Sequence, residues 1–204
     1  MTMIKQLSIP LMLAAVVLTA SSAFAQDASK AQPQMTPEQK AEMDAYMKAG
    51  TPGEPHKRLA AMAGKYSVAT KSWQEPGAPP MEEKGTATRT MALDGRVLVE
   101  QFEGTMMGSP FQGHGMTGYD NVVGQYWSTW NDSMSTGIMV STGTCDAKNA
   151  CTFTGSWNDP IKKTPVKARM TTRWTDANTE LFEMYAPDKQ GREMKMMEIT
   201  YKRM

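Results

Sequence analysis

From Gly64 to Met204 the chain is a series of about ten short segments in which apolar and polar side chains alternate. The clearest is Cys151–Trp157, where Phe153 and Trp157 occupy odd-numbered positions and two threonines and a serine occupy the even-numbered ones. Because successive strand side chains face opposite sides, this pattern predicts strands with one buried and one solvated face. With no helical pattern between them, the segments predict an antiparallel meander.

The predicted strands are separated by Gly, Pro, Asp and Asn residues. In order they are Lys65–Trp73, Glu83–Leu93, Arg96–Thr105, Phe111–Tyr119, Gln125–Asn131, Gly137–Cys145, Cys151–Asn158, Val166–Thr175, Glu180–Ala186 and Glu193–Lys202. Between the second and third, Asp94-Gly95 predicts a two-residue hairpin turn. An open sheet of this size would leave unpaired edges, which closure removes. We therefore predict an all-β fold, a closed antiparallel barrel of about ten strands.

Residues 1–25 have the pattern of a secretory signal peptide. Lys5 supplies the positive n-region, Leu7–Leu18 the apolar segment, and Ala23-Phe-Ala25 the cleavage signal. The apolar segment is shorter than the roughly 20 residues of a membrane span, so no span is predicted after signal cleavage. The pattern predicts a periplasmic or secreted protein.

One or two short helices are predicted between the signal and the barrel. Residues 26–35 form a polar linker that we expect to be disordered. In residues 36–63, Thr36 and Gln39 form a capping box around a proline at the first helical position. A second short helix follows, and together the two are predicted to cover one end of the barrel domain, residues 64–204.

Charge and cysteine content narrow the function classes. Basic residues exceed acidic ones by 22 to 21, and removal of Lys5 with the signal leaves a net charge of zero. No basic stretch stands out, so the sequence predicts neither nucleic-acid binding nor electrostatic attachment to a membrane surface.

Cys145 and Cys151 flank a polar turn, and in an oxidising compartment this arrangement predicts a disulfide at a hairpin end.

Several segments resemble a bacterial family known only as domain of unknown function 1579, often found behind a secretory signal. They are Thr51–Lys57, Pro76–Pro80, Gly104–Phe111, Thr117–Asn121, Ser135–Met139 and Glu193–Arg203. The resemblance implies a calycin-like barrel, akin to lipocalins and nitrobindin-type haem barrels. Tyr66 stands where the first lipocalin strand carries tryptophan in its Gly-x-Trp motif. The family has no established reaction, so the resemblance implies a fold and no activity.

Motifs of catalysis are missing from the sequence. Gly113–Gly118 matches G-x-G-x-x-G, but a turn follows it where dinucleotide binding requires a helix. Its glycines instead favour a sharply bent strand or a close approach by a ligand. There is no HExxH, G-x-S-x-G or Walker A motif. The sequence therefore favours a protein without catalysis, with no metal site and no required cofactor, and an enzyme stays open as the least favoured class.

The leading hypothesis is a barrel that binds a small, mostly apolar molecule without catalysis. The candidate polar contacts are His114, Tyr119, Arg169 and Arg173, and Trp130 is the aromatic candidate. Trp130 and its neighbour Trp127 have opposite parity, so both face inward only if a bulge intervenes.

Three questions stay open at this stage. Arg169 and Arg173 lie either on a solvated outer face or in the lumen, where their guanidinium groups would hold a carboxylate. Glu100 and Glu198 lie within strands, and either one is able to pair with an inward arginine. The alternatives to an apolar-ligand carrier are a haem barrel with His114 as axial ligand and a filled barrel with no ligand. The oligomeric state is not specified by the sequence.

Overall fold

A computed structural model describes residues 35–204. The predicted signal peptide and all but the last residue of the linker lie outside the described residues. Two helices, α1 (Pro37–Gly50) and α2 (Glu54–Ala61), precede ten strands. The strands are β1 (Gly64–Ser72), β2 (Met81–Ala92), β3 (Val97–Met106), β4 (Ser109–Asp120), β5 (Gln125–Asp132), β6 (Met139–Cys145), β7 (Cys151–Asn158), β8 (Pro165–Trp174), β9 (Thr179–Pro187) and β10 (Glu193–Arg203). All ten predicted strands are present, with ends within a few residues of those predicted.

The strands form a closed up-and-down barrel. Each strand pairs antiparallel with the next, and β10 closes the circle by pairing with β1, for example through Val68 and Tyr201. The predicted all-β closed barrel is therefore confirmed. The barrel has ten strands, whereas lipocalin barrels have eight. The likeness to calycins is therefore limited to the closed up-and-down architecture.

The turn between β2 and β3 differs from the prediction. The last ladder pair is Ala92–Val97, which leaves a four-residue connection, Leu93–Arg96, rather than a two-residue turn at Asp94-Gly95. Leu93, Asp94 and Gly95 all have positive φ, at 51°, 51° and 82°. The Asp-Gly pair thus accounts for part of a longer left-handed turn.

A two-residue hairpin occurs instead between β3 and β4. Met107 and Gly108 connect the Met106–Ser109 pair with φ of 53° and 75°. Such turns require positive φ at both central residues, which is why Asn-Gly and Asp-Gly signal them. A methionine in the first position carries no such signal, so the sequence pattern missed this turn.

The three glycines of the G-x-G-x-x-G motif on β4 lie directly beneath tryptophan rings of β5. A Cβ at Gly113 or Gly115 would meet the ring of Trp130, and one at Gly118 would meet Trp127. The β4–β5 register is continuous, so the two tryptophans face opposite sides without a bulge. Trp130 covers the first two glycines on the inner face, while Trp127 covers the third on the outer face. The motif therefore serves packing.

Helix α2 closes one end of the barrel, which we call the helical end. Leu59 is 3% exposed and packs with Leu98 and Tyr126. Helix α1 has the predicted capping box at Thr36 and Gln39 but buries no side chain. The connections β1–β2, β3–β4, β5–β6, β7–β8 and β9–β10 lie at the opposite end, which we call the open end.

Candidate functional site

The centre of the barrel holds a buried ionic network. Arg89 Nε lies 2.5 Å from Glu100 Oε2, and its Nη1 lies 2.5 Å from Glu180 Oε2. The guanidinium carbon lies 4.8 Å from the centre of the Tyr66 ring and 4.3 Å from that of Tyr201. A guanidinium suits this position because it pairs with carboxylates in its plane and stacks on aromatic rings with its faces.

Neighbouring hydroxyl groups complete the network. Thr172 Oγ1 donates to Glu180 Oε1 at 2.5 Å, and the Tyr201 hydroxyl donates to Glu100 Oε1 at 3.3 Å. Burial opposes the charged guanidinium, but the Glu180 and Glu100 carboxylates outweigh it and hold the pKa of Arg89 well above its ordinary value. Burial likewise raises the pKa of Tyr201. Arg89 therefore stays charged and paired with two carboxylates, which suits a structural centre of the barrel.

The sequence contained a partial signal for this network. Glu100 is one of the two strand glutamates that the sequence left open as partners of an inward arginine, and it is the one that pairs with Arg89. Glu198 lies on the outer face instead, where it accepts a hydrogen bond from Lys195. Arg89 was missed, although it shares strand parity with the buried Ala87. A charged residue on the strand face that otherwise carries buried apolar side chains indicates a buried ion pair.

The inner wall near the open end is lined by half-buried apolar side chains. On β5, β6 and β7, Trp130 pairs with Met139, and Trp157 follows one step beyond the Val140–Ser156 pair. On the other side of the barrel, Met184 pairs with both Met170 and Met197 on neighbouring strands. Met170 is fully buried, whereas Trp130, Met139, Trp157, Met184 and Met197 keep part of their surface in solvent.

Two acidic residues also face inward at this end. Asp132 accepts a hydrogen bond from Trp130 Nε1 at 3.0 Å. Glu83 pairs with the inward Thr70, is half-buried, and forms no ion pair with any of residues 35–204. Two depressions of about 260 and 220 Å³ lie in the wall over β6–β10 and are bordered by exposed residues such as Thr154 and Lys167. They are open hollows outside the lumen.

His114 does not lie in the lumen. It occupies the outer face of β4, opposite in parity to Gly113 and Gly115, and is exposed. Its ladder neighbours are Gln101 and Asn131. An axial ligand must point at a haem inside the barrel, so this placement does not bring His114 to such a site.

Arg169 and Arg173 lie on the outer wall, the first of the two positions considered for them. Arg169 donates to both carboxylate oxygens of Glu193, at 2.9 and 2.8 Å, and stacks over Tyr185. Arg173 pairs with Glu183 at 3.1 Å. Both guanidinium groups are thus engaged outside, and the alternative of a lumenal carboxylate anchor does not hold.

Tyr119 faces inward but at the helical end. Its ring lies 4.8 Å from that of Tyr126 and 6.0 Å from that of His56 on α2. The Tyr126 hydroxyl is buried without a hydrogen-bond partner among the described residues. Of the five candidates, Trp130 alone faces the lumen at the open end, and the structure does not bring the others together with it.

Cys145 and Cys151 form the predicted disulfide, which joins β6 to β7. In residues 35–204 no group of three His, Cys, Asp or Glu side chains is arranged to hold a metal ion. Within the same range, no helix combines the length and the apolar character needed to cross a membrane.

Comparison with solved structures gives the redesigned beta barrel b11L5F_LGL as one similar fold. The identity is 11%, the TM-score is 0.37, and the match covers 72% of this chain and 94% of that one. No curated protein matches the chain. A family model matches residues 51–203, from the loop before α2 to the end of β10. The chain belongs to the family described as "Protein of unknown function (DUF1579)".

Proposed function

We propose that this protein is an extracytoplasmic barrel that binds a small, mostly apolar molecule at its open end. The observation that carries the proposal is the partial exposure of Trp130, Met139, Trp157, Met184 and Met197, although all face inward. Ligand pockets combine apolar walls with a few polar groups. Unbranched methionine side chains change rotamer at low energetic cost. The open end of the barrel, which we also call its mouth, can therefore adapt to a ligand without a preformed cavity.

The inward charges indicate the kind of polar group on the ligand. Glu83 and Asp132 are acidic, and the guanidinium of Arg89 is already shared by two carboxylates. A carboxylate ligand would meet like charge here, whereas a hydroxyl or amine would find acceptors. Trp130 and Trp157 add ring faces that attract cations. We therefore expect neutral or amine-bearing apolar ligands to bind better than apolar acids.

The proposed location rests on two features. Residues 1–25 have the sequence pattern of a secretory signal peptide, and the Cys145–Cys151 disulfide is of a kind that persists in oxidising compartments.

The experiment is a fluorescence titration with the neutral apolar probe N-phenyl-1-naphthylamine. Two neighbouring residues of β6 provide a matched pair, because Met139 faces inward while Val140 is on the outer face and 50% exposed. Met139→Lys places a charge in the mouth and is expected to weaken probe binding by roughly tenfold or more, a cost of about 1.4 kcal/mol. Val140→Lys is expected to leave the affinity unchanged. Urea unfolding of both variants checks that the barrel stays folded.

Equal affinities of the two lysine variants would place the probe elsewhere and contradict the proposed site. Native mass spectrometry of protein purified from its own host supplies the second readout. A reproducible added mass supports a carrier. A bare polypeptide, together with no probe binding by the wild type, would instead establish the filled barrel without a ligand.

A further inference from the structure

The open end carries a set of exposed apolar side chains on successive connections. Met107 is on the β3–β4 turn, Met134 and Ile138 are on the β5–β6 connection, and Ile161 is on the β7–β8 connection. Their exposed fractions are 67%, 59%, 51% and 88%. These connections follow one another around the same end because the strands run up and down in sequence order. We call these four residues the open-end rim.

The connection that carries Ile161 is a well-bonded turn. Asp159 Oδ1 accepts from the backbone N–H groups of Ile161 and Lys162, both at 2.7 Å. The Asp159 N–H bonds to Thr164 O at 2.9 Å, and Lys163 N–H bonds to Asp159 O at 2.8 Å. The turn therefore holds Ile161 out in solvent as a fixed projection.

The charge beside this projection is mainly positive. Lys162, Lys163 and Lys167 are exposed on and next to the β7–β8 connection. The nearby acids are engaged: Asp159 bonds the turn, Asp132 bonds Trp130 and the Met134 N–H, and the exposed Glu193, which borders the same outer depression as Lys167, is paired with Arg169. The side of the rim that projects furthest thus presents an isoleucine flanked by lysines.

We propose that the open-end rim docks on an anionic lipid bilayer, an attachment that the sequence did not predict because Lys162 and Lys163 form no long basic stretch. Isolated apolar side chains that project beside lysines match interfacial insertion combined with attraction to anionic headgroups. A protein partner would instead call for a continuous, closely packed patch of about 800 Å² on each side. The inference rests on the proposed function in one respect, because docking would turn the apolar mouth toward the membrane, from which an apolar ligand could enter.

The helical end offers the matched control. Val122 and Val123 are 79% and 64% exposed on the β4–β5 turn, so their apolar exposure resembles that of the rim. They follow Asp120, whose carboxylate bonds both of their N–H groups. Both apolar tips thus follow an aspartate that bonds the turn, and they differ in the lysines, since Lys162 and Lys163 come directly after Ile161 whereas residues 120–125 contain none.

The experiment is co-sedimentation of the purified mature protein, residues 26–204, with vesicles of phosphatidylcholine alone and of phosphatidylcholine with phosphatidylglycerol at 3:1. Binding to the anionic vesicles is expected, with weaker binding to the neutral ones. Lys162→Gln/Lys163→Gln is expected to reduce it by about thirtyfold, since each lysine near such a surface contributes about 1 kcal/mol. Met134→Ser/Ile161→Ser is expected to reduce it by about tenfold, because two inserted apolar side chains are lost. Val122→Ser/Val123→Ser is expected to bind as the wild type does.

Failure of the wild type to prefer anionic vesicles would overturn the docking surface. Equal losses in the rim and control variants would overturn it as well. A dimer in size-exclusion chromatography that Ile161→Ser dissociates, without vesicle binding, would assign the rim to a second copy instead. N-phenyl-1-naphthylamine titration without vesicles separates the two proposals, because the rim variants are expected to keep wild-type affinity for the probe even when docking is lost.

Discussion

At the scale of single residues, the position of each charge relative to the barrel wall decides its role. Arg89 and Arg169 both pair with glutamates and stack on tyrosine rings. Arg89 is 6% exposed inside the barrel, whereas the Arg169 side chain is 39% exposed outside it. Water competes for the outer pair and not for the inner one, so the same contacts carry different energies.

Replacing Arg89 is therefore expected to destabilise the fold strongly. Arg89→Met leaves the Glu100 and Glu180 carboxylates buried without their partner, at a cost of about 3–5 kcal/mol. The matched variant Arg169→Met is expected to cost about 1 kcal/mol or less. Urea unfolding monitored by tryptophan fluorescence measures both. Similar midpoints for the two variants would contradict the structural role of the inner network, and Arg89→Met/Glu100→Gln/Glu180→Gln is expected to recover part of the loss.

At the scale of elements, the two helices contribute to stability in different ways. Helix α1 has good local signals, with a capping box and a proline in its first turn, yet none of its side chains is buried. Its carboxyl end is held by the side chain of Asn121, which donates to the carbonyls of Ala49 and Thr51, both at 2.9 Å. Helix α2 is shorter but inserts Leu59 into the core.

The two helices are accordingly expected to respond differently to mutation. Thr36→Ala removes the cap, at about 1 kcal/mol, and is expected to increase hydrogen exchange within α1 while global stability stays unchanged. Leu59→Ala creates a cavity against Leu98 and Tyr126 and is expected to lower the free energy of unfolding by about 2–5 kcal/mol. Exchange mass spectrometry and urea titration test both. A global loss from Thr36→Ala would show that α1 is part of the cooperative core.

At the scale of the whole molecule, closure is the property on which the other levels depend. The β1–β10 pairing joins strands from opposite ends of the domain and spans Tyr66–Arg203 to Ser72–Met197. It also brings Tyr201 against Arg89. Without this pairing the barrel would have two free edges and the ionic network would lose one wall.

Removal of β10, by ending the chain before Glu193, is therefore expected to abolish the cooperative fold. The edges of β1 and β9 would be unpaired and the interior open to water, which favours aggregation. Near-ultraviolet circular dichroism and size-exclusion chromatography check this expectation, with the intact chain as control. A truncated monomer that keeps a sharp unfolding transition would show that closure is dispensable.

Predictions that depend on residues close in sequence were correct, and the prediction that depends on strand register was not. Strand alternation in segments such as Cys151–Trp157 is a local property, and it predicted every strand correctly. The Thr36 capping box and the Cys145–Cys151 disulfide depend on residues close in sequence and were also confirmed. The Asp94-Gly95 turn was wrong in length, because its ends are set by the register of β2 on β3 rather than by the dipeptide.

The sequence by itself determined that the polypeptide forms strands, how many, and that they close, since period-two alternation and frequent turns leave few other ways to bury one face. Only the tertiary structure decided which face is inside. Parity groups residues within one strand but does not orient that strand relative to the rest, so Arg89 and Glu180 went unnoticed and His114 remained a candidate. Inside and outside are defined by closure, a relation among strands far apart in the chain, and so is any site that closure creates.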